Sequence, residues 1–234
     1  MHALILAAGE GKRLRPLTLD RPKPMVELLG KPILEHTISF LPKEITDLVI
    51  VVGYKGEKIR AHFGDSWKGR SITYIEQEMP PMGTAKALLS ARPLLEGKHF
   101  VSLMGDNVSG GDAIKKALAY DFALLVCTHE HPEHFGVIEL HEDGTIKEMH
   151  EHPEHPPTNL ISTGTYVLGN RIFNTTMALN EKRQEYLLPD LLMEVARREP
   201  VHIVEQDFWI SVDKPDDIPG AETKLSKKLE EMLH

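Results

Sequence analysis

The feature that most constrains the fold is a regular alternation of short apolar runs with helical patterns over the first 120 residues. Ala3–Ala8, Asp47–Val52, Ile72–Glu76 and His99–Met104 read as strands. Lys31–Leu41, Gly56–Phe63, Thr84–Leu95 and Asp112–Ala119 read as the helices between them. This rhythm implies parallel strands joined by right-handed crossovers. The expected class is α/β, with a Rossmann-like mixed, mostly parallel central sheet and helices on both faces. Ligands of such sheets gather at the carboxyl ends of the strands. Two loops fall there, Gly9–Lys12 and Gly105–Asn107, each directly after a strand. Loops distant in sequence are therefore expected to meet over one site.

After Tyr120 the pattern changes. Phe122–Thr128 and Leu160–Leu168 read as strands, and Phe135–His141 and Thr145–His150 flank Asp143-Gly144, a tight hairpin signal. Tyr186–Arg198 reads as an amphipathic helix, Val201–Glu205 and Phe208–Val212 as short strands, and Ile218–Leu233 as a charged terminal helix. No long linker divides the chain, so residues 1–234 are expected to form one domain.

The loop after the first strand carries the strongest chemical signal. Gly9 and Gly11 make a turn, and Lys12, Arg13, Arg15, Arg21 and Lys23 follow within twelve positions. The whole chain has a formal net charge of −8. A dense cationic loop in an acidic chain points to an anion, and glycines let backbone N–H groups approach a phosphate. Two common phosphate loops are excluded. A Walker A loop needs a glycine where Leu6 stands and a hydroxyl residue where Arg13 stands. A dinucleotide fingerprint needs a third glycine where Leu14 stands.

Composition narrows the classes further. No apolar run approaches membrane-span length, and Ala3–Ala8 runs straight into charged residues, unlike a secretory leader. The one cysteine, Cys127, reads as an inert core residue and fits a reducing cytoplasm. The acidic balance argues against general nucleic-acid binding. No membrane or nucleic-acid partner is expected. The residues do not specify an oligomeric state, and a homodimer stays open.

The N-terminal loop resembles the signature of the sugar nucleotidyltransferases, or NDP-sugar pyrophosphorylases: a strand, GxGxRLxPLT, a spacer and KP. The matching residues are Gly9, Gly11, Arg13, Leu14, Pro16, Leu17, Thr18, Lys23 and Pro24. Further landmarks follow in order: Gly83-Thr84-Ala85, Gly105-Asp106-Asn107, Phe135-Gly136-Val137, Glu151, Thr163-Gly164, and Trp209 with Asp213. The likeness runs over roughly positions 2 to 217, closest to the glucose-1-phosphate thymidylyl- and uridylyltransferases. Many relatives append a β-helix, but no hexapeptide repeat occurs here.

The resemblance implies transfer of a nucleoside monophosphate from an NTP to a sugar 1-phosphate. Residues 1–120 would serve the nucleotide and 121–234 the sugar. Arg13 would grip the triphosphate, and Lys23 would contact the α-phosphate and incoming sugar phosphate. Ala8, Gly9, Gly11, Lys12, Gln77, Gly83 and Thr84 would line the nucleotide, with Gln77 reading the base. Asp106 and Asp213 would hold Mg²⁺ between phosphate oxygens. Gly136, Glu151, His152, Asn159, Gly164 and Tyr166 would form the sugar side. A glutamine amide suits a pyrimidine edge, favouring UTP or dTTP. The stretch Met79-Pro80-Pro81-Met82 makes the Gln77–Gly83 spacing one residue longer than usual, so CTP and GTP stay open. Glu151-His152-Pro153 stands where the family has Glu-Lys-Pro, exchanging a fixed cation for an imidazole. Two other functions stay open: a cytidylyltransferase for phosphocholine or another small phosphate, and a non-catalytic nucleotide-sugar-binding subunit.

One internal repeat is literal. HEHPEH occurs at His129–His134 and again at His150–His155, holding six of the thirteen histidines. Proline removes the helical i, i+4 spacing that zinc helices use, so loop composition explains the repeat better than a metal site. Both copies border the expected site loops.

Overall fold

The structure, a computed structural model, describes residues 1–77, 82–181 and 183–233. The first half contains β1 (His2–Ala7), β2 (Glu27–Leu28), β3 (Lys31–Pro32), α1 (Ile33–Phe40), β4 (Asp47–Val52), α2 (Gly56–Phe63), β5 (Ser66–Trp67) and β6 (Arg70–Glu76). It continues through α3 (Thr84–Ser90), α4 (Arg92–Leu95), β7 (Phe100–Met104), β8 (Asn107–Ser109) and α5 (Gly111–Ala117). The second half has β9 (Ala123–Thr128), β10 (Gly136–Leu140), β11 (Ile146–Glu151), β12 (Leu160–Leu168), α6 (Leu188–Ala196), β13 (His202–Glu205), β14 (Trp209–Ser211) and α7 (Ile218–Glu231).

One ten-stranded sheet draws strands from both halves, in the order β11-β10-β12-β7-β1-β4-β6-β5, with β9 and β13 joined beside β12. The first half supplies the parallel ladder: β1 pairs with β4 and β7, and β4 with β6. The second half is mostly antiparallel, through β10, β11, β12 and β9, and only β13 runs parallel to its neighbour. The sheet is thus mixed, with its parallel part concentrated around β1. The antiparallel part follows from the hairpin at Asp143-Gly144, where Gly144 has φ +82°.

Strand β1 shows why both faces need helices. Leu4 is fully buried against one cluster with Ala87, Leu88, Leu188 and Leu192 from α3 and α6. Ala3, Ile5 and Ala7 point the other way, into Leu34, Ile38, Ile59 and Ile114 from α1, α2 and α5. A strand apolar on both faces is stable only when both are covered. Burying Leu4 or Ile5 contributes about 1.5–3 kcal/mol each before entropy is set against it.

Most element boundaries follow the sequence reading. The long helix expected over Thr84–Leu95 is instead two, broken at Ala91. Pro93 lacks the N–H that would continue the first helix and sits in the first turn of the second. The helix expected from Tyr186 begins only at Leu188, with Pro189 in its first turn.

The chain leaves β1 toward β4 and β6 on one side, then returns to β7 on the other. The carboxyl ends of β1 and β7 therefore flank a topological switch point, where α/β sheets hold their ligands.

Candidate active site

The turn after β1 is pinned by one apolar residue. Leu14 is fully buried in a cluster with Val26, Val108 and Ile210, and its N–H donates to Gly11 O at 2.9 Å. This anchors a short 3-10 turn over Lys12–Leu14 and turns Lys12 and Arg13 outward. Gly11 has φ +66°, and a Cβ there would stand 2.7 Å from Lys23 Cβ. The glycine is what lets Lys23 lie against the phosphate-type turn.

Two acids reach the same place by separate routes. Asp106 lies in the turn between β7 and β8, while Asp213 follows β14. Strands β8 and β14 are antiparallel with Asn107 opposite Ser211, so the start of one adjoins the end of the other. The Asp217 carboxylate accepts N–H bonds from Asp213 and Lys214 at 2.8 and 2.9 Å, fixing the Asp213 turn.

The charges then converge. Lys23 Nζ stands 2.6 Å from Asp106 Oδ2 and 3.0 Å from Asp213 Oδ1, with its side chain 11% exposed. Arg13 donates to the same Asp213 oxygen at 2.9 Å. Burial pulls the Lys23 pKa down, but Asp106 and Asp213 outweigh it and the ammonium is held above its usual range. Burial likewise favours neutral Asp213, yet Lys23 and Arg13 prevail and keep its carboxyl below the usual range. Lys12 is mostly exposed and pairs with Glu10 at 3.6 Å, and Arg15 also pairs with Glu10.

A cavity of about 500 Å³ opens over this cluster. Ala8, Gly9, Gly11, Lys12, Arg13, Lys23, Asp106 and Asp213 line one part of it, and Gln77, Gly83 and Thr84 the other. Gln77 extends β6 by one hydrogen bond, its N–H donating to Val52 O at 2.8 Å. Its spacing to Gly83 runs through residues 78–81, which lie outside the described residues. Thr84 Oγ1 accepts from Leu188 N–H at 2.9 Å, tying the start of α3 to the start of α6.

The sugar-side candidates are less united. Gly136 faces Glu151: a Cβ on the glycine would stand 2.8 Å from Glu151 Oε1. Burial raises the Glu151 pKa, opposed by Arg183, whose guanidinium is 3.5 Å away. His152 lines a neighbouring cavity of about 1010 Å³, together with His129, His131 and His134 from the first histidine repeat. Arg13 and Asp213 belong to the walls of both cavities. Burial, then Arg183 and Arg13, hold the His152 pKa below the ordinary 6.5. Of the six sugar-side candidates only His152 lines either cavity; Gly136, Glu151, Asn159, Gly164 and Tyr166 line neither. Tyr166 is buried in the core at 2% exposure, and burial raises its phenol pKa. The Asn159 carbonyl accepts from His129 N–H at 3.0 Å. Cys127 is half-buried, packed against the cluster of Val137, Ile161 and Trp209 and lining the larger cavity, and burial pushes its thiol pKa up.

Two residues escaped the sequence reading. Glu185 lines the smaller cavity, and Arg183 pairs with Glu151. Both lie in the segment before α6, where Tyr186 N–H donates to Met82 O and Ala85 N–H to Tyr186 O, at 2.8 and 2.9 Å. The available signal was an arginine in a polar loop just ahead of a helix.

The donor set fits a hard divalent cation. Two carboxylates already aim at one shared cation, the Lys23 ammonium. Magnesium needs few protein oxygens when substrate phosphates supply the others. Among the described residues no group of three or more His, Cys, Asp or Glu forms a closed cage.

Comparison with known proteins places this chain in a family. The chain belongs to the nucleotidyl transferase family, whose model matches residues 2–228. The bifunctional protein GlmU of Methanococcus maripaludis is 38% identical over 233 residues, covering 98% of this chain and 55% of that protein. This chain therefore spans about half the length of that relative. The UTP–glucose-1-phosphate uridylyltransferase AglF of Haloferax volcanii is 37% identical over 241 residues, covering 97% of this chain and 98% of that one. A solved structure of UDP-glucose pyrophosphorylase with UDP-glucose superposes with a TM-score of 0.82, at 22% identity, over 97% of this chain and 98% of that one. That likeness establishes the shared fold. Among the described residues no helix is long and apolar enough to cross a membrane.

Proposed function

We propose that this chain transfers a nucleoside monophosphate from an NTP to a sugar 1-phosphate, releasing a nucleotide sugar and pyrophosphate. The observation that carries the proposal is the meeting of Arg13 and Lys23 with Asp106 and Asp213 beside a glycine turn at the switch point of the sheet. The activity of the Haloferax relative, similar over nearly its whole length, supports UTP and glucose 1-phosphate as the favoured pair.

In this scheme a phosphate oxygen of the acceptor attacks the α-phosphorus. The bond from that phosphorus to the bridging oxygen breaks, and its electron pair leaves with pyrophosphate. The acceptor oxygen is already anionic, so no general base is required. Catalysis is positioning and charge neutralisation. Arg13, Lys12 and the turn at Gly9 and Gly11 hold the leaving phosphates, and Lys23 serves the α-phosphate. Ala8, Gln77, Gly83 and Thr84 receive the nucleoside. Glu151, given room by Gly136, accepts from sugar hydroxyls. Arg183 supplies the fixed cation that His152 lacks. Asp106 and Asp213 would hold Mg²⁺, which supplies further neutralisation of phosphate charge. Both halves of the chain act as one domain, in a cytoplasm where nucleoside triphosphates are abundant.

A pyrophosphate-release screen of NTPs against sugar 1-phosphates and phosphocholine tests the proposal. Release is expected with UTP or dTTP and glucose 1-phosphate, and only with a divalent cation. Release with CTP and phosphocholine alone would replace the sugar assignment. Binding without release would make the chain a non-catalytic subunit.

His152 gives a pH prediction. Its pKa is lowered, so it becomes a cation only below the ordinary histidine range. Protonation adds positive charge near the acceptor phosphate, so acceptor affinity should rise on acidification and fall as pH increases. Acceptor KM is expected to climb as pH rises through the lowered His152 pKa, below about 6.5, and to level off above it. In His152→Lys the climb should flatten, with KM at about pH 8 reduced roughly 3- to 10-fold. An unchanged KM–pH profile would remove His152 from the site.

A further inference from the structure

We propose that Lys23 is the resident counter-ion of Asp106 and Asp213, and that a divalent cation is admitted to these carboxylates only when a polyphosphate draws the ammonium away. The inference rests on the function proposed above and adds a rule for how its site fills: metal and triphosphate bind as positively coupled ligands.

The geometry is that of an occupied position. One ammonium bridges two carboxylates at 2.6 and 3.0 Å, and the Arg13 guanidinium closes the second carboxylate at 2.9 Å. Asp106 and Asp213 bring two negative charges, and Lys23 and Arg13 bring two positive ones. The cluster is neutral as it stands. A divalent ion added alone would face that neutral cluster in a half-buried cleft and compete with an ammonium already in place.

A triphosphate changes the balance. It brings enough negative charge for the ion and both basic side chains together. The Lys23 backbone has little freedom to follow, because its carbonyl accepts from Val26 N–H at 3.0 Å and its Cβ packs on Gly11. The side chain is the moving part. A lysine with four rotatable bonds can turn from the carboxylates toward an anion at the adjacent Gly9–Lys12 turn. Linkage makes the coupling reciprocal: the factor by which polyphosphate tightens the metal is the factor by which metal tightens polyphosphate.

The test is a Mn²⁺ titration followed by water-proton relaxation, which distinguishes protein-bound ion from ion held by free polyphosphate. Wild type, Lys23→Met and the double variant Lys23→Met/Asp106→Asn are compared, each checked for folding by circular dichroism. Lys23→Met without polyphosphate should bind one Mn²⁺ at least about tenfold more tightly than wild type, and the double variant should lose that gain. In wild type, inorganic tripolyphosphate should tighten Mn²⁺ binding at least about tenfold, and in Lys23→Met by less than about threefold. Equal or weaker Mn²⁺ binding in folded Lys23→Met overturns the proposal. So does a wild type that binds the ion equally well with and without tripolyphosphate, a measurement that stands even if the variant fails to fold. Intact coupling without turnover on any NTP would overturn the enzymatic reading alone. Turnover without coupling would overturn only this one.

Discussion

Lys23→Met is expected to lower kcat for pyrophosphate release by about 10²–10³, equivalent to roughly 2.7–4 kcal/mol of transition-state stabilisation. The size follows from the surroundings. The ammonium is 11% exposed, so its charge is screened less than that of the outlying Lys12, whose side chain is 74% exposed. Methionine keeps the length and apolar stem of lysine while deleting the charge, so packing loss contributes little. Lys12→Met is the control and should cost less than about tenfold, in line with an exposed charge. Steady-state kinetics at saturating donor and acceptor separates the two. Equal losses in both variants would mean that Lys23 has no special access to the reacting phosphate.

Gly83→Ala should be the most damaging small substitution in the smaller cavity. Gly83 has φ +99° and ψ 174°, a region that essentially only glycine occupies. A Cβ would collide with Tyr186 O and stand 2.9 Å from Tyr186 N. These are not soft neighbours. Tyr186 O accepts from Ala85 N–H and Tyr186 N–H donates to Met82 O, so retreat would break the bonds joining α3 to the segment before α6. Strain plus lost hydrogen bonds should total about 3–5 kcal/mol in chemical denaturation. Gly220→Ala is the matched control, a helical glycine with nothing within 4 Å of its Cβ. It should gain about 0.5–1 kcal/mol. A Gly83→Ala loss below about 1 kcal/mol would show that the Tyr186 segment is free to move.

The sequence was most readable where local pattern and tertiary position agree. Asp47–Val52, Gly56–Phe63 and Leu160–Leu168 are elements with the same ends in both descriptions. Each ends directly before a glycine, Gly53, Gly64 or Gly169, that marks its border. Two-residue strands such as β2, β3 and β5 left no period to detect. The split at Ala91 was encoded by Pro93, whose effect on the preceding turn outweighed the continuous helical pattern.

The site divides in the same way. The meeting of Arg13, Lys23 and Asp106 was legible because Gly9, Gly11, Arg13 and Lys23 sit close together in the chain, and Asp106 stands two residues after a strand. Asp213 was legible only through resemblance, because its meeting with Asp106 depends on β8 pairing with β14. Arg183 and Glu185 carried only a weak local mark, an arginine in a polar loop ahead of a helix, because their reach to Glu151 and to the smaller cavity depends on how that loop folds back. The histidine repeat was visible as text. That His129, His131, His134 and His152 line one cavity depends on the loops before β10 and after β11 lying side by side.

The most direct measurement is phosphorus NMR of one reaction mixture holding the protein, Mg²⁺, UTP and glucose 1-phosphate. The account predicts that glucose 1-phosphate disappears while a sugar-linked diphosphate and inorganic pyrophosphate grow in equal amounts. Release of orthophosphate or free UMP with glucose 1-phosphate left intact would mean that water, not a sugar phosphate, attacks in this cleft, and would contradict it.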